Sequence, residues 1–164
     1  MTVTAHVITV SDGVANGVRE DRSGQLATER LTSAGYETTA SVVPDGEAQV
    51  EEVLRAALAA GARLIITSGG TGVTPRDRTP EGTSPVLDRE VPGLAELMRA
   101  EGVRQTPFAA LSRGLVGVVD SGPDGPGALV ANLPGSPKGV AEGLDVLLPV
   151  VEHVLDQLTG GDHG

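Results

Sequence analysis

The apolar run Leu64-Ile65-Ile66 passes through Thr67-Ser68 into a turn that holds Gly69, Gly70 and Gly72. A short β-branched run bounded by glycines reads as a buried parallel strand. Glycines at its end remove Cβ atoms from a tight turn, permit positive φ, and let backbone amides approach an anion closely. A dense polar segment follows, with Arg76, Asp77, Arg78, Thr79, Glu81, Thr83 and Ser84. A strand that runs into a glycine turn and then into such a segment is where an open α/β sheet places its ligand. The turn is not a Walker A loop, because no Gly-Lys-Ser/Thr follows. It is not the dinucleotide fingerprint either, because Pro75 stands where the last glycine would fall. Taken alone, such a turn serves as often as a plain connection, so the functional argument rests on what accompanies it.

The segments around it alternate in period. Residues 3–10 (VTAHVITV) read as a buried strand ending at Ser11-Asp12-Gly13, with His6 as a structural strand residue. A polar loop leads to an amphipathic helix over 23–34, capped by Asp21 or Ser23 and stopped by Gly35. Residues 36–43 alternate as a second strand, ending at Pro44-Asp45-Gly46. The clearest helix is 47–60, with Val50, Val53, Leu54, Ala57 and Leu58 on one face and Gly61 closing it. Residues 63–67 form the third strand. The β-α-β-α-β order predicts an α/β domain with a mostly parallel central sheet. Right-handed crossovers would bring all three carboxyl ends to one edge, so that Ser11-Asp12, Asp45 and Gly69 to Asp77 face one crevice.

The second half is read the same way. A helical turn at 85–87, a helix over 94–101 and a helical turn near 109–113 precede two strands, 115–119 and 128–132, joined by a turn-forming stretch. A second glycine loop, Leu133-Pro134-Gly135-Ser136-Pro137-Lys138-Gly139, then opens a long helix over 140–158. Pro149 inside it predicts a kink or a division into two helices. Lys138 is the only lysine in the chain. At a helix start beside Ser136 it offers an anion cradle, with a solvated lysine as the plain alternative. Residues 160–164 read as a flexible tail, with His163 at the surface.

Composition narrows the function. The 164 residues suit a single domain spanning 1–164, and 39% of them are hydrophobic, which excludes disorder. No apolar run approaches the roughly 18 residues of a membrane span. The N-terminal stretch lacks a basic region and reads as a strand, not a signal peptide. With no cysteine, thiolate metal sites and disulfides are excluded, and a cytoplasmic protein is the expectation. A net charge of −10 and only two aromatics, Tyr36 and Phe108, argue against nucleic acid as a partner. A small anion remains accessible through local amides and cations. Asp45 and Asp77 on separate loops of a phosphate-binding crevice would repel that anion unless a cation intervened, and Mg²⁺ accepts one or two carboxylates together with phosphate oxygens. This points to phosphoryl or nucleotidyl transfer; the plainer reading is that both aspartates only organise turns.

These pieces in this order resemble the molybdopterin adenylyltransferase (MoaB/Mog) family of molybdenum cofactor biosynthesis. The resemblance rests on Ser11-Asp12, Gly17, Asp21, Ser23-Gly24, Val43-Pro44-Asp45, Ser68-Gly69-Gly70-Thr71-Gly72, Arg76-Asp77-Arg78-Thr79-Pro80-Glu81 and Leu133-Pro134-Gly135-Ser136-Pro137-Lys138. It implies a three-layer α/β/α domain that assembles as a homotrimer. It implies Mg²⁺-dependent adenylylation of molybdopterin by ATP, with release of pyrophosphate. Asp45 and Asp77 match the family's two critical aspartates and would hold the metal and orient the α-phosphate. Substrate and nucleotide would meet Ser11, Asp12, Ser68, Gly69, Gly70, Thr71, Gly72, Thr79, Glu81, Pro134, Gly135, Ser136 and Lys138. A binding-only molybdopterin carrier or regulatory protein of the MoaB branch is the alternative.

Overall fold

The computed structural model describes residues 2–162. Its strands are β1 (Thr4–Val10), β2 (Glu37–Val43), β3 (Leu64–Ser68), β4 (Arg89–Glu90), β5 (Val116–Val119) and β6 (Ala128–Leu133). They form one sheet in the order β2-β1-β3-β6-β5-β4. The first four in that order pair in parallel, and β5 and β4 close the edge in antiparallel fashion. The parallel strands follow from the alternation with α2 (Arg22–Ser33) and α3 (Glu47–Ala59). After β2 the chain crosses back to the far side of β1 to form β3. The strand order therefore reverses between β1 and β3, and open sheets bind ligands at such a reversal.

The period of two along the strands divides the core. Ala5, Val7, Leu64, Ile66, Leu129 and Ala131 pack on α2, on α5 (Pro92–Val103) and on α6 (Pro137–Leu158). Ile8, Val10, Ile65 and Val130 face α3, through Val50, Leu54 and Ala57. Every residue of β3 is buried, as a strand covered on both faces requires. The three-layer α/β/α expectation is what the chain adopts. His6 is structural, as expected: its ring nitrogens pair with Thr39 Oγ1 at 2.7 Å and Ser41 Oγ at 2.8 Å.

Several local expectations differ. Residues 12–15 form a one-turn helix, α1 (Asp12–Ala15), capped by Ser11, where a plain loop was expected. The helical turn expected at 85–87 lies earlier, as α4 (Thr79–Thr83), and the two-residue β4 follows it. A strand that short carries no period to read. The turn near 109–113 is a 3-10 turn at Pro107–Leu111. Pro149 does not divide α6 into two helices. It lies on the exposed face, and the carbonyl it leaves without a donor belongs to exposed Asp145, where water can satisfy it. In the expected tail, Gly160 and Gly161 still donate to Gln157 O and Asp156 O, at 3.0 and 2.9 Å; His163 and Gly164 lie outside the described residues.

One buried polar junction ties β3, α4 and the residue before β5 to β6. Asn132 Nδ2 donates to Thr67 Oγ1 and to Thr83 Oγ1, each at 3.0 Å, and Oδ1 accepts from Leu115 N at 3.0 Å. Asn132 is 2% exposed. Asn132→Leu keeps the volume but strands the Leu115 amide. It should cost about 2–3 kcal/mol, read as a lower urea midpoint at unchanged slope.

Candidate functional site

Four parallel strand ends meet at the upper edge of the sheet. Ser11 N–H donates to Val43 O at 3.0 Å, and Gly69 N–H donates to Leu133 O at 3.1 Å. Gly69 has φ +103, and a Cβ there would lie 2.3 Å from Val10 O, so only glycine lets β3 turn this close to β1. Gly70, at φ +69, sits over the Thr79 hydroxyl and beside the Asp45 carboxylate. Above them is a crevice of about 770 Å³.

The structure brings many of the expected residues onto its walls. Ser11, Asp45, Ser68, Gly69 and Gly70 line it from the strand ends. Asp77 faces it from the following loop, and Gly135 and Ser136 from the second glycine loop. Others stand behind the wall. Asp12 braces Asp45. Thr79 is fully buried and donates to Gly69 O at 2.9 Å, so its hydroxyl supports the turn from below. Thr71 is buried, Gly72 accepts from Arg113, and Glu81 pairs with Arg113. Pro134 and Lys138 line a neighbouring cavity of about 260 Å³, beside Met98 and Phe108; Lys138 Nζ donates to Gln105 Oε1 at 3.4 Å. Ser136 borders both cavities.

The two aspartates are held differently. Asp12 and Asp45 exchange backbone-to-carboxylate bonds: Asp12 N–H to Asp45 Oδ2 at 3.0 Å, and Asp45 N–H to Asp12 Oδ1 at 3.1 Å. Arg76 forks onto Asp12 with two bonds of 3.0 Å and donates to Asp45 O at 2.9 Å. That guanidinium holds the Asp12 carboxyl below its ordinary range. Asp45 moves the other way: burial raises it, and the charges of Asp12 and Asp77 add to the rise. Asp77 Oδ2 accepts from Thr74 N at 3.0 Å. Oδ1 of Asp45 and Oδ1 of Asp77 accept no hydrogen bond among the described residues. Two like carboxylates, each with one oxygen to spare, are a donor set that suits a hard cation shared with phosphate oxygens. No cluster of three or more metal-ligating side chains exists among the described residues, so ligand and water would complete the coordination.

Residues 14–23 supply a wall that the spacing did not announce. Arg19 and Arg22 face the crevice from it. Asp21 caps α2 as expected, accepting from Gly24 N at 2.9 Å, and takes the Thr9 hydroxyl as well. Ser23 is not the cap; it donates to Gly135 O at 2.6 Å and joins the two glycine loops. Arg113 carries no local signal of its role in the sequence. It lies more than thirty residues from the loop it binds, and no local pattern marks such a contact.

The family model described as a probable molybdopterin binding domain matches residues 6–153. The chain belongs to this molybdopterin-binding family. The molybdopterin adenylyltransferase of Pyrococcus furiosus is 38% identical over 150 residues, 91% of this chain and 87% of that protein. The molybdenum cofactor biosynthesis bifunctional protein of Synechococcus elongatus is 42% identical over 163 residues, 99% of this chain. The chain spans 49% of that protein's length. The structure of the molybdopterin biosynthesis enzyme MoaB from Thermus thermophilus superimposes with a TM-score of 0.85 at 47% identity, covering 99% of this chain and 100% of that one. Among the described residues of this family member, no helix is long and apolar enough to cross a membrane.

The raised Asp45 carboxyl has a consequence for stability. A carboxyl that binds its proton more tightly when folded loses stability as pH rises past its ordinary value of 3.8 and through the raised one. Asp45→Asn keeps an acceptor for the Asp12 amide and removes the charge. Thermal melting at pH 7 should rise by about 1–3 °C, and the gain should vanish below pH of about 4.

Proposed function

We propose that this chain is a molybdopterin adenylyltransferase, transferring the adenylyl group of ATP to molybdopterin and releasing pyrophosphate. The observation that carries the reading is the pair Asp45 and Asp77: both line the crevice beside the Gly69-Gly70 turn, each with one oxygen that accepts no hydrogen bond among the described residues, at the point where the strand order reverses. The names of the relatives support the choice of pterin and nucleotide.

In this reading an oxygen of the pterin phosphate attacks the α-phosphorus of ATP. The bond from that phosphorus to the bridging oxygen of the β-phosphate breaks, and pyrophosphate leaves with the electron pair. Asp45 and Asp77 would hold Mg²⁺, which would neutralise charge between carboxylates and phosphates. The Gly69-Gly70 turn presents backbone to the phosphates. Ser11, Ser68 and Ser136 border the same space, and the second glycine loop is held beside it by the Ser23 hydroxyl on Gly135 O. Asp12 and Arg76 fix the Asp45 backbone. Thr71, Gly72, Thr79 and Glu81 keep the turn in shape. Pro134 and Lys138 extend the binding surface into the neighbouring cavity. Assembly as a homotrimer belongs to the same reading and is checked by light scattering on the eluted protein.

The test is product formation from molybdopterin, ATP and Mg²⁺, followed by mass spectrometry. Wild type should form adenylylated molybdopterin, and Asp77→Asn should form it about 100-fold more slowly or worse. Saturating Mg²⁺ with a non-hydrolysable ATP analogue should raise the melting temperature of wild type more than that of Asp77→Asn. Bound molybdopterin with no product would make the chain a carrier.

A further inference from the structure

The loop that bears Asp77 is closed on itself. Thr79 N–H donates to Gly70 O at 3.0 Å and joins its ends, and residues 73–76 between them are exposed. Within it, Asp77 N–H donates to Thr74 O at 3.1 Å, and the Asp77 carboxylate accepts from Thr74 N. Those bonds orient Asp77 relative to Thr74. They do not orient it relative to Asp45, which sits on another loop.

Two guanidiniums do that. Arg76 reaches out of the loop to Asp12 and Asp45, as described above. Arg113 reaches in, from the connection between the 3-10 turn and β5. Its Nε donates to Gly72 O at 2.8 Å, Nη2 to Asp77 O at 2.9 Å, and Nη1 to Glu81 Oε2 at 2.7 Å. Its main-chain N–H donates to Thr71 O at 2.8 Å. One residue thereby clasps the start of the loop, the Asp77 backbone and the helix that follows. A Cβ on Gly72 would lie 2.9 Å from Asp77 Oδ2, so the clasp at Gly72 O sits beside the carboxylate itself. Glu81 aims the guanidinium with one oxygen, while its Oε1 is buried without a partner, the one buried side-chain polar atom so left among the described residues.

We propose that Arg113 is a positioning residue of this site: its planar fork holds the loop so that the Asp77 carboxylate stays opposed to Asp45 as ligand binds and leaves. Its effect on turnover rests on the adenylyl-transfer reading; its effect on the loop rests on the hydrogen bonds alone. Lysine keeps the charge but offers a point donor that cannot span three acceptors in the guanidinium plane.

Arg113→Lys is compared with wild type in the full chain by two readouts. In backbone hydrogen exchange, amides of residues 72–78 should exchange at least about tenfold faster while those of β3 and β6 stay as in wild type. Unchanged exchange at 72–78 overturns the proposal. In adenylyl transfer, kcat should fall about 10–100-fold with the molybdopterin KM within about twofold. Added to Asp77→Asn, the same change should cost little more, because Arg113 acts through Asp77. An equal loss in both backgrounds overturns the proposal. Should Arg113→Lys loosen the core as well, Glu81→Gln replaces it: it weakens the aim of the fork and should speed exchange at 72–78 alone. A wild type that makes no product sinks the adenylyl-transfer reading, and the exchange experiment still decides Arg113.

Discussion

The packing of β1 against β3 is the constraint on which the rest of the site depends. Gly69 passes Val10 O closer than any Cβ would permit, and its amide is taken by Leu133 O. With those two contacts, the carboxyl ends of β1, β3 and β6 lie side by side, and β2 adds its own end through Ser11 and Val43. The loops that follow these strands therefore begin within reach of one another. A side chain at Gly69 would push β3 away from β1 and open the crevice along its floor.

On that frame the charges are arranged at some cost. The chain is acidic overall, yet Asp45 is set near two further aspartates and partly buried, which raises its carboxyl. Arg76 offsets this by engaging Asp12 and the Asp45 backbone, leaving the outward oxygen of Asp45 uncommitted. Self-repulsion retained beside an uncommitted oxygen is the pattern expected where a cation is to be received, because folding alone would favour a neutral side chain there. The exposed ion pair between Arg76 and Asp12 matters through its geometry, since a pair so open to solvent contributes little by attraction alone.

The loops are steadied from beneath by hydroxyls and from the side by guanidiniums. Thr79 holds Gly69, Ser68 holds Pro134, and Ser23 holds Gly135. Asn132 couples β6 to β3 and α4 through Thr67 and Thr83. All but the Thr79 bond, which closes its own loop, join segments far apart in the chain. The glycine turns thus gain a shape that their own conformational freedom would not supply.

The alternation of strand and helix periods up to Ser68, the glycine turn and the long last helix were all legible in the sequence. So were Asp45 and Asp77 as partners on one crevice, because parallel strands with right-handed crossovers share a carboxyl edge. These features are local, written in spacing and in glycine's lack of a side chain. Short elements were not legible: α1, α4 and β4 have too few residues to show a period. Nor was the division of the second glycine loop, with Ser136 on both cavities and Lys138 on only one. Thr79 and Glu81 were expected at the ligand through the family resemblance, and only the tertiary structure shows their present partners, Gly69 O for Thr79 and Arg113 for Glu81. Arg113 joins Gly72, Asp77 and Glu81 across the fold. Which distant carbonyls a guanidinium meets is decided by how the layers pack, and no spacing along the chain records it.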